Sequence, residues 1–335
     1  MPMPSFKPLL CALLCAFLAA LTFGAAAPNA LAQAKLPGKP IRLIVPFAPG
    51  GGVDVVARVV GQRVSEQIGQ PMLVESKPGA GGALAVNELM RGEPDGTTLL
   101  ITTSSHATLP ALAKLPWHPS NDFAPIANIY STTFVMPTNA ASSSRFGTFQ
   151  EFLAYARANP GKINWGSSGI AGPQHLAGAQ FAKVANIEMV HVPYRGNGPM
   201  LQALLQNDVQ LTFDTPTLAS PHIADGKLIG LAVTGERRMA KLPNVPTVKE
   251  SGINYSAEVR IFVLGPKGIP GPLQALLNKE FITALDDKTV RERLVGFGLE
   301  VTESRDNTPA HLTKHIDDFA ATYGKLITEM GIKAE

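Results

Sequence analysis

Apolar residues in this chain come in short continuous runs that stop at proline and glycine and then resume at helical spacing. Ile41-Arg42-Leu43-Ile44-Val45 is the first clear run, and Pro46-Phe47-Ala48-Pro49-Gly50-Gly51-Gly52 interrupts it. From Val53, apolar side chains recur at 53, 56, 57, 60, 64 and 68, while Arg58, Gln62, Ser65 and Glu66 fall elsewhere. This spacing predicts a strand, a loop and a helix with one buried face. Glycines let the loop backbone pass close to a ligand, and the first helical turn leaves N–H groups with no internal partner. The junction is therefore a predicted anion seat. A second junction has the same layout: a strand over 163–166, the loop Ser167-Ser168-Gly169-Ile170-Ala171-Gly172, and Pro173 opening a helix. Proline suits that first position because its missing N–H is not needed there. The two loops are expected to face each other across a cleft.

The alternation runs through the rest of the chain. Further strands are predicted at 71–75, 98–102, 188–192, 209–213, 228–234 and 257–264. Helices are predicted up to about Met90, over 149–158, 173–184 and 199–205, up to Ala224, and again from Pro270. The last helix carries Leu312, Ile316, Phe319, Tyr323, Ile327 and Met330 on one face. Strands alternating with helices place the chain in the α/β class, with mixed and parallel sheets covered by helices on both faces. The polar run 138–144 has linker composition, and the proline- and glycine-marked segment near 242–252 suits a return crossing. The expected organisation is one lobe from 35–137 plus 257–335 and a second from 138–256. Two crossings between lobes make a hinge.

Composition narrows the picture. Charged residues are 16% of the 335, against a usual quarter or so, and hydrophobic residues are 45%. A chain of this size suits two lobes, with many turns and no disordered character. Residues 1–34 stand apart: Lys7, an apolar run from Leu9 to Phe23, then Ala-rich sequence ending Ala32-Gln33-Ala34. That is the layout of a secretory signal peptide cleaved after Ala34, and its apolar core is shorter than the roughly 20 residues of a membrane span. Both cysteines, Cys11 and Cys15, lie in this leader. The mature chain thus has no thiol for a nucleophile, a metal site or a disulfide. Cleavage removes Lys7 and no acid, taking the formal charge from +3 to +2. This leaves no basic footprint for nucleic acid.

Several constellations invite chemistry. Gly50-x-Gly52 after a strand suggests a dinucleotide loop, but Val55 stands in place of the third glycine and Asp54 sets a negative charge where a pyrophosphate would lie. Asp54 has two readings, a structural acid in the first helical turn or a partner for a ligand amino or hydroxyl group. Ser167, Ser168 and His175, with Asp214 as orienter, suggest acyl transfer, yet Ile170 breaks the nucleophile-elbow pattern. His311 and His315 have metal-ligand spacing, but the intervening Glu is missing and a solvated helix face is the favoured reading. Arg195 reads as a turn residue at the surface. Arg260 interrupts an apolar run, and in a cleft its guanidinium would require an anion.

With these residues in hand, the chain resembles the Bug-type extracytoplasmic solute receptors, the binding component of tripartite tricarboxylate transporters. The resemblance covers essentially the whole mature chain and rests on an ordered set of motifs. These are Lys39-Pro40-Ile41, Val45-Pro46-Phe47-Ala48-Pro49-Gly50-Gly51 with Asp54, Pro78-Gly79-Ala80-Gly81-Gly82, Pro94-Asp95-Gly96 and Asp122-Phe123-Ala124-Pro125. They continue with His175-Leu176-Ala177-Gly178, His191-Val192-Pro193-Tyr194, Phe213-Asp214, Pro221-His222-Ile223, Leu231-Ala232-Val233-Thr234 and Leu242-Pro243-x-Val245-Pro246-Thr247.

The resemblance implies a two-lobed, type II periplasmic binding fold closing on a small carboxylate. Its ligand residues carry over to Phe47, Gly50, Gly51 and Asp54 in the first loop, to Ser168, Gly169, Gly172 and His175 in the second, and to Asp214. It further implies delivery to membrane permease subunits, a monomeric receptor, a periplasmic location, no cofactor and no catalysis. The chain departs from the family pattern at Pro173 (usually Ser or Thr), Ala179 (often Glu), Ala83 (often Asn) and Arg260 (often Trp). Arg260 in place of an aromatic wall points to a ligand with a second anionic group, such as a dicarboxylate. Phe47, Trp165 and Phe262 are the rings that an aromatic carboxylate would meet. A ligand-sensing subunit and an exported hydrolase built on Ser168 and His175 are the competing readings.

Overall fold

The computed structural model describes residues 36, 38–113, 115–141, 145–194 and 196–332. The predicted leader and its cleavage site, Arg195, and Ser142, Ser143 and Ser144 of the predicted linker lie outside the described residues.

Six strands form the main sheet: β1 Ile41–Val45, β2 Met72–Ser76, β3 Thr98–Thr103, β4 Phe123–Thr133, β10 Glu258–Pro266 and β11 Glu300–Val301. Their order is β11-β4-β10-β3-β1-β2. β1 is parallel to β2 and β3, whereas β10 is antiparallel to both β3 and β4. Alternation along the central strands sends Ile41, Leu43, Leu99, Ile101, Ile261 and Val263 into one apolar cluster and Ile44, Leu100, Phe262 and Leu264 into another. The first cluster is covered by helices α1 Gly52–Ile68 and α8 Gly271–Asp286, the second by α2 Ala83–Met90 and α10 Pro309–Glu329. Burial on both faces explains why β1 reads as a nearly unbroken apolar run. Its one charge, Arg42, is half-buried and bonded to Glu75 and Glu88, each at 2.8 Å.

Between β4 and β10 the chain builds two smaller sheets. β5 Val135–Asn139 pairs antiparallel with β9 Leu228–Val233. β6 Asn164–Ser167 lies between β7 Val190–Pro193 and β8 Leu211–Thr212, all parallel. An antiparallel bridge between Val135 and Asp214 joins the two. Helices α4 Phe149–Ala158, α5 Pro173–Ala185, α6 Asn197–Leu205 and α7 Pro216–Ala224 connect these strands.

Three expectations differ from the structure. The polar run at 138–144 is not all linker: Thr138 and Asn139 complete β5, buried, with Thr138 at 0% exposure. The chain changes sheet earlier, at Phe134, where no charge or glycine marks the break. There Thr234 stitches three segments together, accepting from the Phe134 N–H (2.8 Å) and donating to the Ala257 carbonyl (2.6 Å). Secondly, residues 104–113 form a 3-10 turn and a short helix, α3 Leu109–Ala113, where no element was expected. Thirdly, Met330 is exposed at the end of α10 rather than on its packing face. The remaining elements are α9 Lys288–Gly296 and short 3-10 turns before α2 (Ala80–Gly82) and before α10 (Ser304–Asp306).

Candidate functional site

Both glycine loops leave the carboxyl ends of parallel strands, the edge at which open α/β sheets present their ligand crevices. The loop after β1 leads into α1 through Gly51 (φ −71°, ψ 163°), and the loop after β6 leads into α5 through Gly172 (φ −68°, ψ 167°). These two helix starts share nearly the same backbone geometry, and neither has a side-chain cap. α4, α9 and α10 are capped by the side chains of Thr148, Asp287 and Thr308, whereas α2, α6, α7 and α8, like α1 and α5, have no side-chain cap. A side-chain cap occupies an orphan first-turn N–H. At α1 and α5 those groups are left for another acceptor.

In the first loop Gly50 has φ +78°, a conformation suited to glycine, and residues 48–52 are exposed. Asp54 holds this turn together. It is 2% exposed and accepts from the Gly50 N–H (3.0 Å), Arg58 Nε (2.9 Å) and Nη2 (3.0 Å), and Ser76 Oγ (3.1 Å). The Arg58 guanidinium, helped by the Gly50 and Ser76 donors, holds its carboxyl below the usual aspartate range. Of its two expected roles, this is the geometry of the structural one. Phe47 packs half-buried against the main core, and Gly51 is exposed.

The second loop is more heavily braced. Ser168 Oγ donates to Gln174 Oε1, and Gln174 Nε2 donates to Asn197 Oδ1 at 2.8 Å. The Gly196 N–H donates to the Ser168 carbonyl at 3.0 Å, tying in the loop after β7. Ser167, fully buried, donates to the Gly169 carbonyl (2.9 Å) and contacts His191 Nε2 (2.7 Å). His175 Nδ1 accepts the Ala171 N–H at 2.8 Å. The His175 and His191 rings stack at 3.9 Å and 8°, and Trp165 packs on His191 at 4.5 Å. Burial pushes both imidazoles down to about 4, with His175 adding to the effect on His191.

Asp214 follows β8, fully buried. Its Oδ1 accepts from the Thr215 N–H (2.9 Å), and its Oδ2 has no hydrogen-bond partner among the described residues. Burial pushes its pKa up to about 7, partly offset by the Thr215 N–H.

Arg260 lies on β10 beside the carboxyl end of β3, where its N–H donates to Ser104 Oγ at 3.0 Å. Its Nε finds an anion within the protein, Glu258 at 2.7 Å. The pair borders a hollow of about 510 Å³ that Gln180, Thr133, His315 and Tyr323 also line.

The structure thus gathers Ser168, Gly169, Gly172 and His175 into one hydrogen-bonded loop, and Gly50 with Asp54 into another. It adds Gln174, His191 and Asn197, which sequence reasoning passed over, and Ser167, which that reasoning considered for acyl transfer. His191 sat in plain view in the His191-Val192-Pro193-Tyr194 motif, but its contact with Ser167 depends on the β6–β7 register. Some expectations fail. Phe262 is fully buried in the core, and Trp165 at 3% exposure lies beneath the histidines, so neither ring is free to meet a ligand. His315 is not on a solvated face: burial lowers its pKa to about 3, and its Nε2 lies 3.0 Å from Ser104 Oγ. The acyl-transfer arrangement is absent too, because His175 Nδ1 serves Ala171 and the Ser168 hydroxyl serves Gln174.

The family model for the tripartite tricarboxylate transporter family receptor matches residues 56–332. A solved structure described as a periplasmic transporter is 37% identical, with a TM-score of 0.77, covering 89% of this chain and 99% of its own. MatC (Rpa3494) from Rhodopseudomonas palustris, solved with bound malate, is 28% identical with a TM-score of 0.76, covering 87% of this chain and 99% of its own. Rpa4515 of R. palustris, solved with adipate, is 28% identical with a TM-score of 0.77, over 89% and 99%.

Proposed function

The chain belongs to the tripartite tricarboxylate transporter receptor family, and on that premise we propose that it captures a small dicarboxylate between the loops 46–51 and 168–172. The family consists of periplasmic solute-binding receptors, not enzymes. One observation carries the ligand reading: the matched glycine starts of α1 and α5, whose first-turn amides have no side-chain cap. Each helix start adds partial positive charge to these donors, so each end favours a carboxylate. Relatives solved with malate and with adipate support a ligand with two such groups.

In this reading the crossings between the two lobes lie at Phe134, rather than at 137/138 as expected, and near Ala257, the segments that Thr234 stitches together. Gly50 and Gly51 belong to one seat, and Ser168, Gly169, Gly172 and His175 to the other. Phe47 flanks the first, and Asp54 acts by fixing its turn. Asp214 supports the second seat from below. Residues 1–34 export the chain and are cleaved after Ala34, and the loaded monomer hands its cargo to integral membrane permease subunits.

The second carboxylate is assigned to Arg260. Its bond to Glu258 is half-exposed, and such pairs contribute only about 0–1 kcal/mol, so a ligand anion can displace Glu258. Calorimetric titration with adipate, malate and hexanoate tests the assignment. Saturable binding of a dicarboxylate is expected, and Arg260→Ala should weaken adipate at least fivefold while leaving hexanoate unchanged. Flat titrations across the panel would remove the ligand class, and equal loss for both acids would remove Arg260 from the second contact.

A further inference from the structure

The loop 168–172 has a foundation that its own residues do not supply. A serine hydroxyl has one hydrogen to donate and two lone pairs. At Ser167 the hydrogen goes to the Gly169 carbonyl (2.9 Å), and one lone pair takes the Gly169 N–H (3.3 Å). The remaining lone pair faces His191 Nε2 at 2.7 Å, so that nitrogen must carry a proton. The second imidazole is fixed by the same logic. His175 Nδ1 accepts the Ala171 N–H, so Nδ1 is bare and the proton of a neutral ring sits on Nε2.

Ala171 needs this support. Its φ of +60° is left-handed, a region that costs a non-glycine residue about 1–2 kcal/mol. A loop with such a residue persists only where its surroundings over-determine it. Here the surroundings are a column. The Trp165 ring packs on His191, His191 stacks on His175, and His175 holds Ala171. Phe213 meets Trp165 edge-on at 5.8 Å and closes the side.

We propose that His191 is a positioning residue for the ligand seat: through Ser167 it fixes Gly169, and through its stack on His175 it fixes Ala171. This role rests on the reading of 168–172 as part of that seat. His191 does not need to touch the solute. It sets the direction of the loop amides before the solute arrives, which lowers the ordering cost of binding.

Two variants separate its donor from its ring. His191→Phe keeps a ring to stack but cannot donate to Ser167, whereas His191→Gln keeps an N–H donor at similar reach. Nitrogen-15 NMR of the imidazoles in the whole protein at pH 7 should find both protonated at Nε2. Amide hydrogen exchange in the ligand-free protein should speed up at least tenfold at Gly169 but not at Ala171 in His191→Phe, and at Ala171 but not at Gly169 in His191→Gln. Adipate affinity at pH 7 should fall at least tenfold in both variants, because each one loosens one of the two ties on the loop. Unchanged exchange at Gly169 in His191→Phe or at Ala171 in His191→Gln overturns the proposal, as does faster exchange spread evenly over the whole protein. If the exchange changes appear but wild type binds no malate or adipate, the dicarboxylate reading fails and the role of His191 in shaping the loop stands.

Discussion

Asp214 and the stacked histidines are buried ionisable groups whose effects on stability run in opposite directions with pH. For His175 and His191 the folded pKa of about 4 lies below the ordinary 6.5. The unfolded chain therefore binds more protons between pH 6.5 and 4, and stability falls as pH drops through that window. For Asp214 the folded value of about 7 lies above the ordinary 3.8. The folded chain then holds the extra proton, and stability falls as pH rises from about 4 to about 7. Asp214→Asn removes the second effect and leaves the first. Its melting temperature relative to wild type is expected to be several degrees more favourable at pH 8 than at pH 5. An offset independent of pH would show that the Asp214 carboxyl titrates normally. None of this was legible in the sequence, where Asp214 stood out only as an orienter or as a ligand position that the family resemblance implied. Burial is a property of the assembled sheets. The structural half of Asp54's double reading was legible, because an acid in a first helical turn has local partners.

Among the elements, α5 shows how a poor local choice can serve a distant contact. Gly178 sits inside the helix, where glycine costs about 1 kcal/mol relative to alanine. A Cβ there would lie 2.2 Å from the Trp165 ring, so the helix reaches β6 closely only because that atom is missing. Gly178→Ala should therefore destabilise, by about 1–3 kcal/mol as overpacking does. It should also shift Trp165 emission when measured in a Trp117→Phe background. A more stable variant with unchanged emission would mean that helix propensity outweighs the clash. Most helices and strands were readable from periodicity, because each buries a face against a neighbour. The switch from β4 to β5 at Phe134 was not, since no charge, glycine or proline separates the two strands there and only their partners differ. The apparent linker at Thr138 and Asn139 misled for the converse reason. Asn139 satisfies its side chain by donating to the Leu204 and Leu205 carbonyls, so a polar residue lies buried in a strand.

For the molecule as a whole, the α/β class and the family followed from the order of motifs along the chain, and the similarity to known receptors agrees with both. The residues of the two glycine loops were legible to the extent that they are local, as with the glycines and the serines beside them. His191, Gln174 and Asn197 join the loop 168–172 only through contacts between β6, β7 and the starts of α5 and α6. Arg260 was singled out as a charge in an apolar strand, but its pairing with Glu258 two residues away was not foreseen. The central claim is that two amide-lined loops close round one acidic solute. The two cysteines are Cys11 and Cys15, so the chain from Lys35 onward offers a thiol-free background for labelling. The most direct measurement is the distance between spin labels on Ala48→Cys and Ile170→Cys, by pulsed electron resonance, with and without saturating adipate or malate. The expected result is a shift to one shorter, narrower distance with at least one of these dicarboxylates and no shift with hexanoate. A distribution that neither dicarboxylate changes, in a protein shown by calorimetry to be saturated, would contradict the account.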